Sequence, residues 1–162
     1  MTTYNVPRRQ RSIQTFIFQA LAGRRKEDAV ARILIVEDEA TIVRVISLRL
    51  ERLGHAILWA DNGLQALETT REQRPDLILL DVMLPLLDGF EVLKQLKDAP
   101  DTQHIPVIML TARGHEQDVA AGLGGGAEDF IIKPFSFPEL ISRVSSALAR
   151  HGISANTSTT AE

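Results

Sequence analysis

From Arg32 onward the chain alternates between short unbroken apolar runs and longer stretches with apolar residues on one helical face. The runs fall at 33–36, 56–60, 77–80, 107–110 and 130–132. Their length suits strands, and their continuous apolarity suits strands buried on both faces, as in a parallel sheet. The stretch 40–53 carries Ile42, Val43, Ile46, Leu50 and Leu53 at helical spacing, and Gly54 ends it. Helices are predicted again over 64–73, 90–97, 116–123 and 136–150. Asp61-Asn62-Gly63 starts the second and Pro75 stops it. Phe90, Leu93 and Leu96 line the third, which ends at Ala99-Pro100-Asp101. The fourth is weak and runs into Gly122, Gly124, Gly125 and Gly126. Leu140, Ile141, Val144, Ala147 and Leu148 line the last.

Strands alternating with helices at this spacing predict βαβ units. Five such units with right-handed crossovers match an α/β, doubly wound, five-stranded parallel sheet of flavodoxin-like order 2-1-3-4-5, with helices on both faces. In that order the first and third strands are neighbours. Ligands of such sheets bind at the carboxyl ends of the strands, where the order reverses.

Residues 31–150 make up this domain, residues 1–30 form a basic extension, and 151–162 are small and polar, which predicts a disordered tail. With 162 residues, 44% hydrophobic and 24% charged, the chain can bury one real core. It has no cysteine, which excludes disulfides, thiolate catalysis and cysteine metal sites. The net charge of −3 conceals an asymmetry, because residues 1–30 carry +4 and the remainder −7. Within the extension a short helix is predicted over 12–22, with Ser12 as its cap. Ile13, Phe16, Ile17, Ala20 and Leu21 share one of its faces. This stretch reads first as a helix packed on the domain or a fraying tail, next as a docking or dimerisation helix, and last as a basic anchor on nucleic acid or membrane. Its arginines are not interleaved with aromatics, which weakens the anchor. No apolar run reaches the ~20 residues that span a bilayer. Gln14, Thr15 and Gln19 interrupt what would be the apolar part of a secretory leader. A cytoplasmic location is expected.

The strand ends carry the chemistry. The first leads into Glu37, Asp38 and Glu39, the third into Asp81, the fourth into Thr111 and the fifth into Lys133. Singly these residues mean little. An aspartate after a strand is more often a cap or turn residue, a lysine there is usually solvated, and acids at 37–39 favour a helix start. On one sheet edge they need each other. Two charges 4 Å apart repel by about 4 kcal/mol at an effective dielectric near 20. A hard divalent cation with oxygen ligands, Mg²⁺ (or Mn²⁺), offsets that repulsion, and Lys133 adds a second positive charge. Such a site suits phosphoryl transfer to a carboxylate, with Asp81 the best nucleophile because it ends the central strand. Asp38 and Glu37 are then metal ligands, Thr111 donates its hydroxyl to a phosphoryl oxygen, and the backbone carbonyl of Met83 is a further ligand.

Four stretches make a resemblance specific: ILIVEDE at 33–39, LLDVMLPLLDG at 79–89, VIMLTA at 107–112 and GAEDFIIKPF at 126–135. In order and spacing they resemble the response-regulator receiver domains of two-component signalling, over residues 31–150. The resemblance implies that Asp81 accepts a phosphoryl group from a phosphohistidine of a sensor histidine kinase or histidine phosphotransfer protein. It implies Mg²⁺ held by Asp38, Asp81 and the Met83 carbonyl, with Glu37 acting through water. It places Thr111 and Lys133 on the phosphoryl oxygens and makes the Lys133–Pro134 peptide cis, an option essentially confined to proline. Phe130 stands where the family has a switch aromatic that turns inward as Thr111 moves toward the phosphate. Lacking a hydroxyl, Phe130 can distinguish its two positions only by packing. Arg113 and Met83 flank the site where family members tune phosphate lifetime. The fourth helix, fifth strand and fifth helix are the usual output surface, and the glycines at 122–126 predict a flexible connection there. Their G-x-G-x-x-A pattern follows a helix and precedes a strand, the reverse of a dinucleotide motif.

The expectation is a single-domain response regulator, a phosphoacceptor rather than an enzyme, that signals to a downstream protein target through phosphorylation-dependent contacts. An aspartate-nucleophile phosphatase would need an acid two residues past the nucleophile, where Met83 stands. A receiver-like adaptor that works without phosphorylation would not need the full set of acids, Thr111 and Lys133. A DNA-binding or membrane-associated regulator using the basic arm is the remaining alternative.

Overall fold

The computed structural model describes residues 30–112 and 116–153. The helix expected over 12–22, Arg113 and residues 154–162 of the tail expected over 151–162 lie outside the described residues. The first three residues of that tail are held, His151 by Glu128 at 3.3 Å and Ile153 by packing against the core. Among the described residues ten elements follow in order: β1 (Arg32–Val36), α1 (Ala40–Arg52), β2 (Ala56–Ala60), α2 (Gly63–Gln73), β3 (Leu77–Asp81), α3 (Gly89–Asp98), β4 (Val107–Ala112), α4 (Glu116–Gly124), β5 (Asp129–Lys133) and α5 (Phe137–Arg150). The strands form one sheet of order β2-β1-β3-β4-β5, every neighbouring pair parallel. This is the expected doubly wound arrangement.

Alternation along the strands divides the core into two layers. Ile33 and Ile35 of β1, with Leu77 and Leu79 of β3, pack against Val43, Ile46 and Leu50 of α1 and Leu140, Val144 and Leu148 of α5. Leu34 and Val36, with Ile78 and Leu80, face Leu67 of α2 and Val92, Leu93 and Leu96 of α3. Every residue of β3 is buried. A strand covered on both faces can be apolar throughout, which is why 77–80 shows no alternation in the sequence.

Helix starts follow their caps. The Asn62 side chain accepts from the Gln65 amide at 2.9 Å, and Ser136 accepts from Glu139 at 3.3 Å. At the opposite end of the sheet, the Arg32 amide donates to Asp76 at 2.7 Å and its guanidinium donates to the Gln73 carbonyl. These bonds tie β1 to the α2–β3 turn and set the register of the two central strands.

Two expectations are corrected. Leu53 is not part of the buried stripe of α1, since it is 44% exposed and forms the helix cap where Gly54, at φ 93°, turns the chain. Nor is Gly122 merely a flexible connection. It is buried, and a Cβ there would overlap the ring of Phe130.

Candidate functional site: a carboxylate cluster at the carboxyl edge

The sheet order brings the carboxyl ends of β1 and β3 together. β1 and β3 are neighbours, with Val36 opposite Leu80, so Glu37, Asp38 and Asp81 emerge side by side. One carboxylate oxygen from each lies within 4.8 Å of the other two. Glu37 is 2% exposed and Asp81 5%, while Asp38 is open to solvent. Asp81, Thr111 and Lys133, expected just after their strands, belong to the ladders themselves, where Asp81 pairs with Leu110 and Thr111 with Ile132. Those three sit on strand backbone, while Glu37 and Asp38 lie in the turn that follows β1.

Lys133 reaches across from β5. Its Nζ donates to Glu37 Oε2 at 2.6 Å and to Asp81 Oδ2 at 2.7 Å. The other Asp81 oxygen, Oδ1, accepts from the Met83 amide at 2.9 Å. The Glu37 Oε1 accepts from the Glu39 amide at 3.2 Å. Burial, and then the neighbouring Asp81, push the Glu37 carboxyl up to about 7, against the pull of Lys133. Burial opposes the charge on Lys133, but its hydrogen bonds and attraction to Asp81 and Glu37 hold its pKa above the ordinary lysine value. An acid held near neutrality among carboxylates marks a place where more positive charge would be accommodated.

The loop after Asp81 is held from both sides. Asp88 caps α3 through the Phe90 and Glu91 amides at 2.9 and 3.0 Å, and the Gly89 amide donates to the Val82 carbonyl at 2.9 Å. A Cβ at Gly89 would collide with the Asp81 carbonyl, and one at Gly63 with the Leu87 carbonyl. Those two glycines let α3 and α2 close onto the loop. Met83 and Leu86 project outward from it, 69% and 67% exposed, with Leu86 at φ 69°. The Lys133–Pro134 peptide is cis.

Thr111 is buried. Phe130 lies inward, 6% exposed, in the layer that also holds Phe90 and Val119. Trp59 received no role from the sequence, yet its indole donates to the Glu37 carbonyl at 2.9 Å. A tryptophan at the end of an edge strand carries no recognisable site signal, and only the pairing of β2 with β1 reveals the contact.

Oxygen donors alone, two buried and one open to water, suit a hard divalent cation. By its donors and spacing the carboxylate cluster is consistent with a divalent-metal site. Residues 33–145 match the response regulator receiver domain family. The chain belongs to that family. The receiver domain is 48% identical over 120 residues to the phosphate regulon transcriptional regulatory protein PhoB of Pseudomonas aeruginosa, covering 74% of this chain and 52% of that one. It is 45% identical over 127 residues to the alkaline phosphatase synthesis transcriptional regulatory protein PhoP of Bacillus subtilis, covering 78% and 52%. The chain thus spans about half the length of the curated relatives it matches. Among solved structures, a putative response regulator from Chloroflexus aurantiacus superposes with a TM-score of 0.71 at 37% identity, covering 74% of this chain and 98% of that one. The receiver domain of a sensor histidine kinase from Pseudomonas aeruginosa, with a magnesium ion coordinated in its active-site cleft, gives 0.68 at 32%, covering 74% and 98%.

The Glu37, Asp38 and Asp81 triad of the receiver domain is typical of a phosphoacceptor and metal site, and it fits metal-dependent self-phosphorylation rather than substrate turnover. Among the described residues, no helix is long and apolar enough to cross a membrane.

Proposed function

We propose that Asp81 is the phosphoacceptor of a response regulator, taking its phosphoryl group from a sensor histidine kinase or a histidine phosphotransfer protein. One observation carries this reading. Asp81, on the central strand, shares a cluster 4.8 Å across with two other acids and is bonded by a lysine from a distant strand. An Asp81 oxygen attacks phosphorus, the O–P bond forms, and the P–N bond to the donor imidazole breaks. The electron pair and a proton go to the leaving ring. Lys133 then transfers its contact from the carboxylate to a phosphoryl oxygen, and Thr111 donates its hydroxyl to another. Asp38, Asp81 and the Met83 carbonyl would hold Mg²⁺, with Glu37 acting through water, and Mn²⁺ suits the same oxygens. When bound, the ion neutralises charge on the transferring oxygens.

Phe130 and Thr111 form the switch in this reading, and output passes through phosphorylation-dependent contact with a downstream protein. Residues 31–150 are the receiver unit, flanked by a basic extension at 1–30 and a tail at 151–162, in a protein of the cytoplasm. The test is incubation with phosphoramidate or acetyl phosphate and Mg²⁺, followed by intact mass. The chain should gain one phosphoryl mass, and Asp81→Asn should gain none. Equal labelling of Asp81→Asn would end the assignment.

A further inference from the structure

β2 is an edge strand, and its last rungs set Trp59 opposite Ile35 and Ala60 opposite Val36. One further bond, from the Glu37 amide to the Ala60 carbonyl at 3.1 Å, carries the pairing to the first acid. There β2 ends, and the chain turns through Asp61 and Asn62 into α2. The Glu37 carbonyl is met instead by a side chain, the Trp59 indole N–H at 2.9 Å. The ring itself is half-buried and packs against the α1/α5 layer of the core. It is therefore a stiff donor rather than a swinging one.

That carbonyl belongs to the peptide unit joining Glu37 to Asp38. Its plane includes the Asp38 amide and Cα, so fixing the carbonyl fixes the direction in which Asp38 leaves β1. Asp38 needs such help. Among the described residues, no hydrogen bond or ion pair holds its carboxylate. Glu37, by contrast, is gripped by Lys133 and by the Glu39 amide.

We propose that Trp59 is a positioning residue for the metal edge, a side-chain rung that extends the β1–β2 ladder past its end and aims Asp38 at the cation. The proposal rests on reading the carboxylate cluster as a metal site. Groups that orient metal ligands without touching the metal typically affect affinity on the order of tenfold or more.

The chain has one tryptophan, so that residue can be replaced throughout by β-(3-benzothienyl)alanine, which exchanges the indole N–H for sulfur and keeps the ring shape. Calorimetric Mg²⁺ titration of the full chain should show an affinity about tenfold weaker after this exchange, with Trp59→Phe weakened alike. Leu96→Ala, which loosens the core on the opposite face of the sheet, should keep the original affinity below its melting point. Unchanged affinity in the benzothienyl chain overturns the role of Trp59 while leaving the metal site standing. Equal weakening in Leu96→Ala overturns it too, by showing that any loss of packing suffices. Absence of Mg²⁺ binding in the unmodified chain would overturn the metal reading and this inference together.

Discussion

The two ends of β5 carry ion pairs of nearly equal length and opposite consequence. At the carboxyl end, Lys133 meets Glu37 and Asp81 at 2.6 and 2.7 Å, with acid side chains 2% and 8% exposed. At the amino end, Asp129 meets Arg143 at 2.8 Å and Glu128 meets Arg150 at 2.7 Å, with all four side chains at least 24% exposed. The second group is surface stitching that ties β5 to α5, and such pairs contribute about 0–1 kcal/mol each. The first group has been taken out of water, where desolvation can exceed the attraction gained. Burial, not distance, separates them. It leaves Glu37 near neutrality and an Asp81 whose oxygens are already engaged by Lys133 and the Met83 amide. A fold seeking only stability would not assemble the first group.

That contrast can be broken from either side. Lys133→Ala should slow labelling by phosphoramidate by about a hundredfold, the usual cost of losing a preorganised charge on a reacting oxygen. Initial rates from intact mass would show it, and a wild-type rate would reduce the buried group to another structural pair. Gly122→Ala forces a methyl into the Phe130 ring and should destabilise the fold by about 1–3 kcal/mol in urea melts. Wild-type stability would mean that Phe130 readily leaves its inward position.

Glu37 gives a pH test. Its folded value, about 7, lies above the ordinary 4.5, so the folded chain binds this proton more tightly than the unfolded one. The associated stability is complete below about 4.5 and is lost as pH rises toward 7. Metal-free urea melts between these limits should decline with pH, and saturating Mg²⁺ should flatten the decline by favouring the ionised acid. A slope unaffected by Mg²⁺ would separate Glu37 from the metal edge. The smallest effect belongs to the surface group. Arg143→Ala should cost under about 1 kcal/mol and less at high salt, with labelling unchanged. A loss of labelling there would erase the distinction between the two ends of β5.

Much of this was legible in the chain. The apolar runs marked all five strands, because a doubly covered sheet needs continuous apolar residues. Glu37, Asp38, Asp81, Thr111 and Lys133 stood out because each followed such a run. Leu53 departs from its pattern because helical spacing continues past the residue at which a helix stops, and the cap geometry at Gly54 decides the stop. The role of Gly122 is hidden in the sequence because a glycine cleared for a neighbouring ring looks there like one kept for freedom.

Local pattern by itself determined the elements, their order and the residue types at each strand end, since periodicity and capping act over a few neighbours. Tertiary structure alone decided the rest. It set which acids lie within 4.8 Å, gave Lys133 two partners, raised Glu37 and put the Trp59 indole on a carbonyl 22 positions away in the chain. Those outcomes depend on burial and on contacts between strands remote in sequence, and both arise only when the sheet closes its layers over the carboxyl edge.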